Sequence, residues 1–168
     1  MISLDINILI PFLTLFMKFI TDSMLGRLAR WLRISGYDVL YVAGMEDDEI
    51  LEMASAEGGR VLVSRDEDLC RKAAKAGVRS VLIRSGEILD QLRQMKREAG
   101  VEFRGEPTFS RCPLCNGEVG RVDKREVEGR VPGEVLDRVA EFWQCRECGR
   151  VYWHGSHWDR IREMVGRI

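Results

Sequence analysis

The sequence lacks a dominant charge. Its 26 basic and 27 acidic residues leave a net charge of -1, so the sum gives no global argument for nucleic acid, while a local basic face stays open. It also lacks an apolar run of membrane length. The stretch 6–20 comes nearest, but Asn7, Pro11, Thr14 and Lys18 interrupt it, and it falls short of the ~20 residues that a span needs. No membrane partner is therefore expected. The run ILIPFLTLF (Ile8–Phe16) has neither a basic n-region nor a small-residue cleavage site, which argues against a signal peptide. Residues 1–16 read as an extension, with Met17 as a second possible start; an added strand or a surface-packed helix is the alternative. No internal repeat is visible. With 45% hydrophobic and 32% charged residues, the 168-residue chain reads as a globular domain with a small appendage.

Cysteine is present in a pattern. Cys112 and Cys115, then Cys145 and Cys148, form two C-x-x-C pairs with 29 residues between them, and Cys70 stands alone. Two disulfides in a secreted module are one reading. Without an export segment the pairs read better as zinc ligands in a reducing compartment, the cytoplasm. Four thiolates make a closed, tetrahedral, structural site that replaces a core in a module too small to have one.

From residue 18 to 99, short apolar runs alternate with amphipathic ones. Strands are expected at 18–21, 38–42, 60–64 and 80–83, and helices from Ser23 to about Ser35, 49–57, 67–76 and 86–99. This alternation predicts an α/β domain with a parallel sheet and helices on both faces. The polar stretch 100–107 serves as a linker. The second module begins near Thr108, with short helices possible at 131–139 and 157–165.

Asp22 follows the first strand and opens a helix. Asp66, with Asp68 close behind, repeats that arrangement after the third strand, and Asp47, Asp48 and Glu49 lie after the second. Loops after the carboxyl ends of parallel strands converge. Carboxylates brought together need a cation between them, and Mg²⁺ or Mn²⁺ suits carboxylate oxygen. Helix capping alone explains the same residues, so both readings stand here. Arg27, Arg30, Arg33 and Arg65 are candidate phosphate contacts or solvated surface. In VYWHGSHWDR, Trp153 is expected to pack; Trp158 can pack or stack on a base, and His157 is a candidate substrate contact.

The segments MKFITDSMLGRLARWLRISGYDVLYV, LVSRDEDL, RCPLCNG and FWQCRECGRVYWHGSHWDR occur in that order. Together they resemble the Mut7-C RNase domain family over residues 17–165. The resemblance implies a PIN-like parallel sheet flanked by helices over residues 17–100, and a C-terminal zinc ribbon over 108–168. It implies a metal-dependent ribonuclease with RNA as substrate. Asp22 matches the family's first acidic residue, and Asp66 the aspartate of its Thr/Ser-Arg-Asp motif, with Asp68 behind it. These three would hold Mg²⁺ or Mn²⁺, and Asp48 is chosen narrowly over Asp47 and Glu49 as the assisting acid. Cys112, Cys115, Cys145 and Cys148 match the zinc ligands. A non-catalytic RNA- or protein-binding module and a toxin-like PIN nuclease remain as alternatives; the sequence itself points to no specific protein partner.

Overall fold

The computed structural model describes residues 17–56, 59–105 and 111–168. The expectations for residues 1–16, for the end of the second helix at 57–58 and for part of the linker lie outside the described residues.

Strand β1 (Lys18–Thr21) leads through a 3₁₀ turn (Ser23–Leu25) into helix α1 (Gly26–Ile34). There follow β2 (Asp38–Tyr41), α2 (Asp47–Ser55), β3 (Val61–Ser64), α3 (Glu67–Lys75), β4 (Ser80–Leu82) and α4 (Ile88–Ala99). The four strands form one parallel sheet in the order β2-β1-β3-β4. Alternation along the strands divides two cores. Phe19, Val39 and Val63 point to one face and meet Leu28 and Leu32 of α1 and Leu92 and Met95 of α4. Ile20 and Leu62 point to the other and meet Ile50 and Ala54 of α2 and Leu69 and Ala73 of α3. A strand buried on both faces reads as a continuous apolar run, which is why VLVS was legible as central.

This strand order has a consequence for chemistry. The chain leaves β1 toward β2 on one side, and leaves β3 toward β4 on the other. The crevice between β1 and β3 is therefore the point where strand order reverses, the place where open α/β sheets bind ligands beyond their carboxyl ends.

The C-terminal part is a three-stranded antiparallel sheet of β5 (Val119–Val122), β6 (Phe142–Cys145) and β7 (Val151–Trp153), in that order. Helix α5 (Gly133–Arg138) lies between β5 and β6, and α6 (Ser156–Gly166) closes the chain. Val127, Val131 and Phe142 form its small core. Trp143, His154 and Trp158 stack in series, with ring centroids 5.1 and 5.5 Å apart. Trp158 is thus a packing residue, like Trp153, which lies against that core. Met164 and Ile168 reach back onto the α1/α4 core.

The seam between the two sheets corrects one expectation. Arg33 does not lie on a solvated basic face: it is 7% exposed. Its guanidinium donates to the carbonyl of Val39 (2.8 and 3.1 Å) and to those of Pro113 (3.2 Å) and Leu114 (3.1 Å). The Arg33 carbonyl in turn accepts the Arg111 amide at 2.6 Å. Four of the five N–H groups of this planar group point to backbone oxygen, so Arg33 joins α1, β2 and the first C-x-x-C turn and is not a solvated phosphate contact. Asn116 completes the seam from an αL conformation (φ 69°). Its Oδ1 accepts the Val39 amide at 3.0 Å, and its Nδ2 donates to Asp38 at 2.8 Å. The exposed edge of β2 is thereby covered by the ribbon.

Candidate functional site

Asp22 stands at the end of β1 and Asp66 two residues beyond β3, on the two strands that flank the reversal point. Both cap the turns that follow. Asp22 Oδ1 accepts the Met24 amide at 2.9 Å; Asp66 Oδ1 accepts the amides of Asp68 (2.8 Å) and Leu69 (3.1 Å). Capping occupies one oxygen of each carboxylate. Ser64 links the two residues. Its hydroxyl donates to Asp22 Oδ2 in a short hydrogen bond and accepts the Asp66 amide at 2.9 Å. Ser64 is fully buried at the end of β3, so its position is set by the sheet. Sequence reasoning gave this serine no role; a hydroxyl ending an otherwise apolar strand was the available signal. Cys70 lies close by, and burial pushes its thiol up, with the Asp66 and Asp22 charges adding to the effect. That protonated thiol is not a nucleophile at neutral pH.

The remaining acids are placed differently. Glu46 and Glu49 form a capping box at the start of α2. Asp47 pairs with Lys72 of α3 at 2.8 Å. That bond, with the charge of Asp47 and then those of Asp48 and Asp68, raises the Lys72 pKa. The acids that open α2 and α3 therefore face each other across a lysine. Asp68 also meets Arg71 at 2.7 Å, and Asp48 and Asp68 are both exposed. Among the described residues no three carboxylates bring oxygens within 4.8 Å of one another. The structure joins Asp22 to Asp66 but does not gather Asp48 or Asp68 into the same tight cluster. Ser64 thus ties the Asp22 carboxylate to the Asp66 backbone at the ends of neighbouring strands, and a Mg²⁺-type ion is often held by one or two carboxylates with substrate phosphate and water completing the shell.

Arg65 is exposed between Ser64 and Asp66. Arg27 and Arg30 are exposed on α1 and line a groove that also takes His157 of α6.

The second constellation is the cysteine cluster. The four Sγ atoms lie within 4.8 Å of one another. Cys112 and Cys148 are 3.7 Å apart, and Cys115 and Cys145 3.4 Å. These separations are far from the ~2.05 Å of a disulfide. They approach the edge of about 3.8 Å that follows from tetrahedral Zn–S bonds of ~2.3 Å. The two C-x-x-C turns depend on Asn116 and Gly149, both at positive φ. Gly117 has a different reason: a Cβ there would come within 2.9 Å of Cys145 Sγ.

The electrostatics also fit a cation. Burial pushes the Cys112 thiol up, but hydrogen bonds from Tyr152 and from the Cys115 and Leu114 amides outweigh it and bring the thiol down to about 6. At Cys115 the Gly117 amide pulls down, yet burial and the Cys145, Cys112 and Cys148 sulfurs push it up to about 12. One thiol ionises readily, and its neighbours then resist. A central dication removes that resistance and holds all four as thiolates. The cluster can thus bind a metal such as zinc, with no open coordination position for catalysis.

Among the described residues no helix is long and apolar enough to cross a membrane. Comparison with curated proteins and with solved structures gave no match. Residues 17–165, which carry both the Asp22–Ser64–Asp66 crevice and the four-cysteine ribbon, match the Mut7-C RNAse domain, and the chain belongs to that family.

Proposed function

We propose that this protein is a metal-dependent ribonuclease that hydrolyses RNA phosphodiester bonds at the crevice between β1 and β3. The observation that carries the reading is the Ser64 bridge between Asp22 and Asp66, on adjacent strands at the point where sheet order reverses. The family's ribonuclease name supports it. Asp22 and Asp66 would hold Mg²⁺ or Mn²⁺, Asp66 through the oxygen not used in capping and Asp22 through the second lone pair of the oxygen that accepts from Ser64, with Asp68 and Asp48 assisting from the rim. When bound, the ion supplies Lewis-acid stabilisation of a phosphodiester and an activated water. Ser64 fixes the Asp22 carboxylate, and so aims its oxygen without a rotameric search. Arg65, beside Asp66, draws the substrate phosphate in, and Arg27 and Arg30 hold the strand further along. The ribbon would carry one structural zinc on Cys112, Cys115, Cys145 and Cys148. A cytoplasmic setting keeps those thiols reduced.

The test is cleavage of a panel of RNAs and single-stranded DNA across Mg²⁺, Mn²⁺ and Ca²⁺, by wild type and Asp22→Asn. Mg²⁺- or Mn²⁺-dependent RNA cleavage that Asn abolishes is expected. Cleavage unaltered by Asp22→Asn would sink the assignment.

A second reading rests on its own observation. Asp22 and Asp66 both make capping bonds, and an RNA-binding module with acids serving only as caps would look the same there. RNA binding without cleavage under every ion favours it.

A further inference from the structure

A groove of about 350 Å³ runs between α1 and the ribbon. Arg27, Arg30 and Trp31 line it from α1, Arg150 and Tyr152 from the start of β7, and His157 from α6. No acidic side chain among the described residues lines it. Among the described residues none of the three arginines has an ion pair. Uncompensated guanidinium groups around one concavity repel each other, and a bound polyanion relieves that repulsion. Trp31 and Tyr152, both half-buried, add aromatic surface between the cations. Charge interleaved with aromatic faces is how proteins hold an unpaired strand: phosphates meet cations, and bases stack.

A narrower recess of about 80 Å³ shares Tyr152 and His157 with this groove and is also lined by Trp158. The indole N–H of Trp158 is buried and has no acceptor there among the described residues. It offers a donor beside the stacking surface.

We propose that this groove binds single-stranded RNA, with α1 and the ribbon each supplying one wall. Resting on the ribonuclease reading, this names the conformation of the substrate and the route by which it approaches. Arg27 lies in the first turn of α1, directly after the turn capped by Asp22. The groove therefore leads away from the crevice along a helix about 13 Å long. Arg150 follows the Cys148–Gly149 turn, and the Tyr152 hydroxyl lies 3.0 Å from Cys112 Sγ. The four-cysteine cluster thus sets the position of the ribbon wall. Arg150 becomes a binding residue that sequence reasoning did not single out, and Tyr152 takes the stacking role that the aromatic run VYWHGSHWDR left open.

The experiment uses full-length Asp22→Asn protein and a labelled single-stranded RNA, with binding read by fluorescence anisotropy over a range of salt. Arg30→Ala and Arg150→Ala, both surface changes, should each weaken binding about 3- to 10-fold and lower the log–log salt slope by ~0.7. Lys75→Ala, at the far end of α3, should change neither. The matching duplex should bind at least about 10-fold more weakly than the single strand, given that stacking needs splayed bases. Wild-type affinity and slope in Arg150→Ala would overturn the proposal, as would equal binding of the duplex. Loss of binding in these variants with no cleavage by wild type under any ion leaves the groove standing and removes the ribonuclease reading. Cleavage by wild type with unaltered binding in the variants does the reverse.

Discussion

Ser64 donates its hydroxyl to Asp22 from a position with no solvent exposure. It ties the end of β3 to the end of β1 through side chains, just where the sheet's hydrogen bonds between those strands stop. Ser64→Ala removes the bond to Asp22 and leaves the Asp66 amide without its acceptor. Stability should fall by about 1–2 kcal/mol. Metal-dependent RNA cleavage should fall by about 10- to 100-fold, with weaker apparent Mg²⁺ affinity, the range seen when a residue orienting a metal ligand is removed. Steady-state kinetics at several Mg²⁺ concentrations, beside thermal unfolding, separates the two effects.

Asp66 caps α3 and, in the proposed function, also binds metal. Asparagine caps as well as aspartate does, whereas alanine does not. Asp66→Asn should keep stability within about 0.5 kcal/mol and lose metal-dependent cleavage; Asp66→Ala should lose cleavage and about 1 kcal/mol as well. Full cleavage by the asparagine variant would leave only the cap.

Arg33 bonds three carbonyls across the seam. Arg33→Ala leaves the buried Val39 carbonyl without this donor and opens the half-covered contacts to Pro113 and Leu114, and should cost about 1–3 kcal/mol. Guanidinium chloride unfolding measures this. A loss below about 0.5 kcal/mol, the scale of an ordinary surface substitution, would show that water replaces the guanidinium at the seam.

The cysteine cluster predicts about one zinc per chain by elemental analysis. Stripping it with a strong chelator should unfold the ribbon, because its small core of Val127, Val131 and Phe142 is too little to hold three strands alone. Gly117→Ala forces a methyl against Cys145 Sγ and should reduce zinc affinity by about 10-fold or more. Competition with a chromophoric chelator reads that change.

Asp38 connects acid stability to the seam. Burial pushes its carboxyl up, but hydrogen bonds from Arg60 and Asn116, with the Arg60 charge, outweigh it and hold the carboxyl below its ordinary value. A depressed carboxyl contributes stability above its unfolded pKa, near ~3.9, and loses it as pH falls through the lower folded value. Wild type should therefore unfold at higher temperature than Asp38→Asn at pH 7, and the gap should close below about pH 4. A gap independent of pH would assign the difference to packing.

Much of this protein follows from local sequence. Apolar runs such as VLVS and the amphipathic stretches between them dictate strand and helix by periodicity alone, and four cysteines in two C-x-x-C pairs point to a cluster that can bind a metal by thiolate chemistry. Asp22 and Asp66 were legible as a repeated junction because strand, acid and helix are contiguous in the chain. What periodicity does not carry is which strands are neighbours. Only the order β2-β1-β3-β4 puts Asp22 beside Ser64 and leaves Asp48 and Asp68 among salt-bridged acids on the rim. Arg33 shows the same limit. On a helix it reads as one of three solvent-facing arginines, but Pro113 and Leu114, some eighty residues away, turn it into a buried joint. Helical spacing reports which side of a helix a residue occupies; what covers that side is decided by the tertiary structure.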